Sequence, residues 1–233
     1  MKRLLISSVL FFIISGAFAQ ITPMWLMNPA ISPDGKTIAF GYKGHLYTVS
    51  ASGGTAQPLT VGDAYDEMPV WSHDGKSIAF ASDRYGDFDV FVIAEKGGTA
   101  KRLTYFSGND FPSDFTPDDK NIVFLSARNA PATSVRFSIS LFKNLYSVPV
   151  KGGRPVLISA AGMEKAHYNS NGSQIIFEDV KGYEDPWRKH ATSAVTRDVW
   201  LFDIAPQQYK KLPVSREKTG NLFSAAMIKR FII

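Results

Sequence analysis

The sequence predicts an all-β protein, a β-propeller with about four recognisable four-stranded blades that is incomplete as a ring. A ten-residue motif recurs four times, and each copy joins a polar turn containing Asp or Asn to a short apolar run that ends in Phe. Asp and Asn favour such turns, whereas Ile, Val and Phe favour a buried strand. Asp74 lies 40 residues after Asp34, and a period near that value with four short strands per unit is typical of a propeller blade. The copies are ISPDGKTIAF (31–40), WSHDGKSIAF (71–80), FTPDDKNIVF (115–124) and YNSNGSQIIF (168–177).

The first twenty residues have the organisation of a secretory signal peptide. Two basic residues are followed by an apolar stretch from Leu4 to Ile14 and by an A-x-A arrangement that ends at Ala19. We therefore expect residues 1–19 to be a signal peptide cleaved after Ala19, and the mature protein to be exported to the periplasm or the extracellular space. A membrane anchor is the alternative, but the apolar stretch is shorter than the roughly 20 residues that a spanning helix needs.

The blades follow a short lead-in at 20–27. The repeats place them at about 28–60, 68–104, 111–158 and 166–212. The Phe that ends each motif recurs at one repeat position, so we expect all four to be core residues; they are Phe40, Phe80, Phe124 and Phe177.

After Leu212 the repeat stops, and residues 213–233 form a tail unrelated to it. Either four blades close a small propeller, or the chain is the first part of a longer protein that is truncated or shifted out of frame here. The abrupt loss of the pattern favours the second explanation. The last blade would then present an uncovered apolar face, and we expect the isolated chain to be poorly soluble or to associate.

Composition and motifs exclude several functional classes. Cleavage of the signal removes two of the 26 basic residues and leaves 24 against 21 acidic ones. This excess is small and the basic residues are scattered, so the charge does not indicate a nucleic-acid or acidic-lipid partner. Cysteine is absent, which excludes disulfides, thiolate catalysis and cysteine-ligated metals. Because the sequence also lacks G-x-S-x-G, H-E-x-x-H, P-loop and G-x-G-x-x-G motifs, it predicts no catalytic, metal-binding or cofactor-binding residues.

Some single residues invite interpretation as sites, but structural roles explain them better. His73 falls in a blade turn, where an exposed polar residue is expected. The run SDRYGDFDV holds closely spaced aspartates, but its spacing does not match a calcium loop, so we predict turn and strand-start roles for them. Arg84 and Arg128 occupy equivalent places after the motif Phe, and we expect them to tie one blade to the next.

The repeat resembles that of TolB-type propellers, which also occurs in tricorn-type proteases and in prolyl-oligopeptidase relatives. The resemblance covers residues 28–212 and rests on the motif, a D-x-[FY]-x-[VI] strand, a Gly-Gly turn and a terminal Leu-Thr. In the fourth unit, GYEDPWRKHATSAVTRDVWLFD (182–203) is similar to the same place in the amino-terminal propeller of exported bacterial tricorn-type serine proteases. In such proteins further propeller sequence, PDZ domains and a serine-protease domain follow. The resemblance therefore implies that these domains are missing partners, and no catalytic residue of the family has a matching position in this sequence.

Two blades carry insertions, one between Arg128 and Lys143 and one between Val180 and Thr196. Inserted loops on a rigid scaffold are where partners are usually contacted. From side-chain type and loop position, the candidates for contact with a peptide or a protein are Tyr183, Trp187, Arg188 and His190.

The leading functional hypothesis is a non-catalytic propeller portion of an exported tricorn-type protease, which guides or filters peptides towards a protease domain. The alternative is a free-standing, TolB-like periplasmic scaffold that binds proteins. A complete enzyme has little support, because a repeated strand pattern without convergent titratable groups offers no nucleophile or base. The sequence leaves the peptide preference and the oligomeric state open.

Overall fold

The computed structural model describes residues 25–128, 142–180 and 197–213, and these residues fold into sixteen β-strands. The strands are β1 (Met27–Ile31), β2 (Thr37–Tyr42), β3 (His45–Ser50), β4 (Gln57–Pro58), β5 (Asp66–Trp71), β6 (Ser77–Tyr85), β7 (Asp87–Ala94), β8 (Lys101–Arg102), β9 (Asp110–Phe115), β10 (Asn121–Ser126), β11 (Asn144–Pro149), β12 (Val156–Ser159), β13 (Met163–Tyr168), β14 (Gln174–Asp179), β15 (Val199–Asp203) and β16 (Gln208–Lys211).

The strands form four antiparallel sheets, and in each sheet four consecutive strands pair in chain order. These sheets are blade 1 (β1–β4), blade 2 (β5–β8), blade 3 (β9–β12) and blade 4 (β13–β16). The all-β prediction is confirmed. The first strands begin slightly before the repeat becomes recognisable in the sequence, at Met27, Asp66, Asp110 and Met163.

The recurring motif forms the turn between the first and second strands of each blade. In blade 1 the Ser32 hydroxyl donates a hydrogen bond of 2.7 Å to Asp34 Oδ1, which also accepts the Lys36 N–H at 3.1 Å. The Ser32 hydrogen bond is the main reason that the pKa of Asp34 is below its usual value. The next residue, Gly35, has φ of 72°, a conformation that costs glycine nothing. The motif is therefore a structural turn, as the sequence predicted.

Among the described residues the apolar core consists of three clusters, and each cluster lies between two adjacent blades. Blades 1 and 2 share the cluster that holds Leu46, Trp71 and Phe80, and blades 2 and 3 share the one that holds Val90 and Phe124. A third cluster joins blades 3 and 4. The four motif phenylalanines are all buried, as predicted. Since the clusters join the blades in chain order, the described residues form an open run of four blades, an incomplete propeller.

The meander gives the run of blades two different ends. The end that carries the turns between first and second strands and between third and fourth strands is called the turn end. We call linker end the opposite one, which carries the connections between second and third strands and the linkers from one blade to the next. The two insertions join β10 to β11 and β14 to β15, so the residues that flank them lie at the linker end.

Candidate functional site

A cleft of about 470 Å³ lies at the linker end, between the linker from blade 1 to blade 2 and the end of β6. It is lined by Val61, Gly62, Asp63, Ala64, Asp83 and Arg84. Tyr65 and Asp83 fix the two walls to each other: the Tyr65 N–H donates to Asp83 Oδ1 at 2.7 Å, and the Asp83 N–H donates to the Tyr65 carbonyl at 3.2 Å. These hydrogen bonds continue the pairing of β5 with β6, so the cleft lies where the linker enters blade 2.

Arg84, the cationic residue of the cleft wall, is held by its own blade. Its Nη2 donates to Asp66 Oδ1 at 2.9 Å and its Nε donates to Ser82 Oγ at 2.9 Å. The guanidinium also lies 4.6 Å from the centroid of the Phe91 ring. Because the Asp66 side chain is only 1% exposed, a buried carboxylate balances the charge of Arg84.

Blade 3 repeats this arrangement. Arg128 pairs with Asp110 and donates from Nε to Ser126 Oγ at 3.0 Å. Burial is the main reason that the pKa of Asp110 is raised, although Ser126 and Arg128 both act in the opposite direction.

From the sequence we expect Arg84 and Arg128 to tie one blade to the next. That prediction is wrong for their ion pairs, because the carboxylate that each arginine binds belongs to its own blade. Each joins the first two strands of its own blade, because the aspartate that starts the first strand lies directly opposite the serine near the end of the second. Arg128 does reach the linker from blade 2, since its guanidinium lies 4.9 Å from the centroid of the Phe106 ring.

A third buried pair lies in blade 2. Arg102 Nη2 donates to Asp89 Oδ2 at 2.5 Å, and the Thr104 hydroxyl donates to Asp89 Oδ1 at 3.2 Å. Burial raises the pKa of Asp89, and the Arg102 hydrogen bond opposes this shift. The Arg102 guanidinium lies 4.4 Å from the Tyr85 ring centroid and 4.6 Å from that of Tyr105. Tyr85 is 65% exposed and Tyr105 is 71% exposed, so an anchored arginine presents two tyrosines to solvent.

A row of aromatic rings extends from the cleft towards blade 3. The ring centroids of Tyr65 and Phe88 are 6.3 Å apart, and those of Phe88 and Phe111 are 5.5 Å apart. Lys143 Nζ lies 4.8 Å from the Phe111 centroid. Burial is the main reason that the pKa of nearby Glu67 is raised, and Lys143 opposes that shift. The linker end thus combines a polar cleft, a row of rings and an arginine–tyrosine cluster.

Sequence reasoning missed this surface because its residues come from a linker, a hairpin and two strand starts, which no local pattern connects. The predicted contact residues Tyr183, Trp187, Arg188 and His190 lie outside the described residues. Their segment joins β14 to β15, and Val180 and Arg197 flank it.

His73 and Asp83, for which the sequence predicted structural roles in turns, lie respectively in a turn and at the start of one. His73 Nδ1 is 2.9 Å from Asp119 Oδ1 in the turn of the next blade, with its side chain 42% exposed. Asp83 starts a turn, since its carbonyl accepts the Gly86 N–H at 2.8 Å. Within the described ranges, no group of three or more His, Cys, Asp or Glu side chains could hold a metal ion. No helix in that part of the chain is long and apolar enough to cross a membrane.

Comparison with solved structures places the fold. The chain is similar to TolB from Acinetobacter baumannii, with a TM-score of 0.61 and 22% identity over 83% of this chain and 45% of that one. It is similar to the tricorn protease, with a TM-score of 0.65 and 21% identity over 83% of this chain and 19% of that one. For a puromycin hydrolase the TM-score is 0.53 at 13% identity, over 85% of this chain and 30% of that one. The chain thus spans less than half the length of TolB and about a fifth of the length of the tricorn protease.

Identities this low show a shared fold alone. No curated protein matches the sequence. A family model, described as the tricorn protease N-terminal β-propeller domain, matches residues 23–229, which is most of the chain. Four four-stranded blades, the shared fold and this match lead to one conclusion: the chain belongs to the family of tricorn protease N-terminal β-propeller domains.

Proposed function

We propose that this chain is the non-catalytic propeller portion of an exported tricorn-type protease, and that it guides or filters peptides towards a protease domain. The family match supports the parentage, because the family is defined by the amino-terminal propeller of that protease. The observation that carries the proposal is the linker end, where the cleft, the aromatic row and the exposed tyrosines lie at the same end of the blades.

The chemistry of the linker end suits an extended peptide. Tyrosine and arginine are among the side chains that contribute most at interfaces. Tyrosine offers a large contact area with few rotatable bonds, and an arginine held by a buried carboxylate has little rotamer freedom left to lose. Tyr85 and Tyr105 are exposed, and their rings contact an arginine that a buried carboxylate holds in place. Little conformational entropy is then lost when a peptide binds. Tyr183, Trp187, Arg188 and His190 extend the proposed contact surface, because their segment starts and ends at the linker end.

Export belongs to the same proposal. The basic start, the apolar stretch and the A-x-A arrangement support cleavage after Ala19 and a periplasmic or extracellular location. Cell fractionation followed by amino-terminal sequencing tests this, with Gln20 expected as the first residue of the exported form. A cytoplasmic protein that retains Met1 would contradict it.

Peptide guidance is tested by site-specific photo-cross-linking of the full-length chain to labelled, unfolded peptides. A photoreactive phenylalanine analogue replaces Tyr105 at the linker end in one variant and Lys96 at the turn end in the matched control. We expect cross-links from position 105 and few from position 96. Equal yields from both positions would contradict peptide binding at the linker end, and capture of folded proteins but not of peptides would favour a TolB-like scaffold.

A second pair of variants addresses the predicted contact residues. Replacement of Trp187 and Arg188 together by Ala should reduce peptide cross-linking from position 105, whereas the same double change at Lys36 and Lys96 on the turn end should not. Unchanged yields would remove these two residues from the proposed surface.

A further inference from the structure

We propose that the linker-end cleft binds a basic side chain, a lysine or an arginine, of an extended peptide. This inference rests on the proposed peptide-binding function and goes beyond it by assigning a substrate class. The cleft volume of about 470 Å³ lies in the range of ligand-binding clefts and is large enough for one long side chain with adjoining backbone.

Arg84 could suggest the opposite preference, for an anion. However, its Nη2 and Nε already donate to Asp66 and Ser82, and one face of its guanidinium covers the Phe91 ring. Its charge is balanced by a carboxylate that is 1% exposed. A ligand carboxylate would therefore meet an arginine whose charge is already balanced within its own blade.

The charge that remains at the wall comes from Asp63 and Asp83. Asp63 is exposed in the linker. The hydrogen bond from the Tyr65 N–H to Asp83 Oδ1, 2.7 Å long, fixes the carboxylate of Asp83 in place. Two carboxylates line the cleft, one from the linker and one from the end of β6, and the charge of the neighbouring Arg84 is already balanced by Asp66. The cleft therefore has a negative charge that is complementary to an ammonium or a guanidinium group.

The surroundings of the cleft fit the rest of such a ligand. Tyr65 begins the aromatic row, and Tyr85 directly follows Arg84 and is 65% exposed. Aromatic rings attract cations and also pack against the methylene groups of Lys and Arg side chains. A peptide that places its cation in the cleft would thus have aromatic surface close by for its neighbouring residues.

The test measures fluorescence anisotropy of the full-length chain with three unstructured peptides that are identical except for a central Lys, norleucine or Glu. We expect the Lys peptide to bind most tightly and the Glu peptide least. The double variant Asp63→Asn and Asp83→Asn should weaken Lys-peptide binding about three- to tenfold and remove the preference over norleucine, since each surface ion pair contributes modestly. Asn at position 83 retains an oxygen that can accept the Tyr65 N–H, and thermal melting checks that the variant folds.

A matched control removes the same number of carboxylates from the turn end. The double variant Asp34→Asn and Glu95→Gln should leave the ratio of Lys to norleucine binding unchanged. Tightest binding of the Glu peptide, or a Lys preference that survives the Asp63 and Asp83 changes, would overturn the proposed cleft specificity. If all three peptides bind equally, only this inference fails; if none binds, the proposed peptide-guiding function fails with it.

Discussion

Replacement of Asp119 should show how strongly one blade turn is fastened to the next. Asp119 belongs to the blade 3 turn, and its two carboxylate oxygens accept the N–H groups of His73 and Asp74 in blade 2, each at 2.8 Å. Its φ is 54°, at the position where the blade 2 turn has Gly75. The residue therefore combines two hydrogen bonds to the backbone of the neighbouring blade, beside the contact with the His73 ring, with a backbone conformation that Asp and Asn tolerate better than Ala.

The expected losses of unfolding free energy follow from these two terms. Hydrogen bonds to a charged acceptor contribute about 1.5–3 kcal/mol each, and the partial exposure of this site reduces the pair to about 2 kcal/mol in total. Left-handed backbone costs Ala about another 1 kcal/mol. Asp119→Ala should thus lose about 3 kcal/mol and Asp119→Gly about 2 kcal/mol, while Asp119→Asn, which keeps one acceptor oxygen, should lose about 1 kcal/mol.

Urea unfolding of the wild type and the three Asp119 variants, followed by tryptophan fluorescence, measures the order of their unfolding free energies. Lys96→Ala, an exposed change at the turn end, is the control and should lose less than about 0.5 kcal/mol. The reasoning is refuted if Asp119→Ala is no less stable than this control, or if the Gly variant is less stable than the Ala variant.

Three more predictions concern single groups. Arg128→Ala leaves the buried carboxylate of Asp110 without its arginine and should cost about 3 kcal/mol in urea unfolding; adding Asp110→Asn should recover part of this loss, and an equal loss in both variants would contradict the role of the charge. The Thr116 hydroxyl is the main reason that the pKa of Asp118 is lowered to about 2, so this carboxylate stabilises the fold above pH 3.8 and loses that contribution as the pH falls towards about 2. The melting temperatures of wild type and Asp118→Asn should therefore differ at pH 5 and converge near pH 2, and a constant difference would speak against it. Gly75→Ala should cost about 1 kcal/mol, because the φ of 70° is unfavourable for Ala although its Cβ would make only ordinary contact with the neighbouring turn; an unchanged urea midpoint would show that the turn tolerates a Cβ.

The fold could be predicted from the sequence because the information that defines a blade is local. Asp34 bonds to residues within two positions, and Phe80 is buried by the same apolar alternation that identifies its strand. Even the drifted third motif follows the rule, since Asp119 adopts the left-handed conformation that glycine adopts elsewhere. The same turn residues and the same strand periodicity recur in every blade, so the sequence specifies the same local structure four times.

The site could not be predicted in the same way, because its determinants are separated along the chain. Asp66 and Asp110 read as linker residues, yet both start a strand and are buried, since the arginine that balances each of them lies 18 residues further along. The cleft likewise needs Asp63 from a linker and Asp83 from the hairpin of the following blade. A repeated arginine indicates a repeated role, but the sequence does not say which carboxylate it binds.

The two ends of the blades differ in how well their connections tolerate insertions. At the turn end each turn packs against the next: a Cβ added to Gly172 would lie 3.4 Å from Pro117 Cγ, and Asp119 holds the backbone of His73. An insertion there would break contacts between blades. At the linker end the Arg84–Asp66 and Arg128–Asp110 pairs lie within blades 2 and 3, so they do not fasten one blade to the next. In blades 3 and 4 the second and third strands pair along their length, so the connection between them can vary while the strands stay paired. Both insertions interrupt this connection, which is why the functional question belongs to the linker end rather than to the motif that defines the fold.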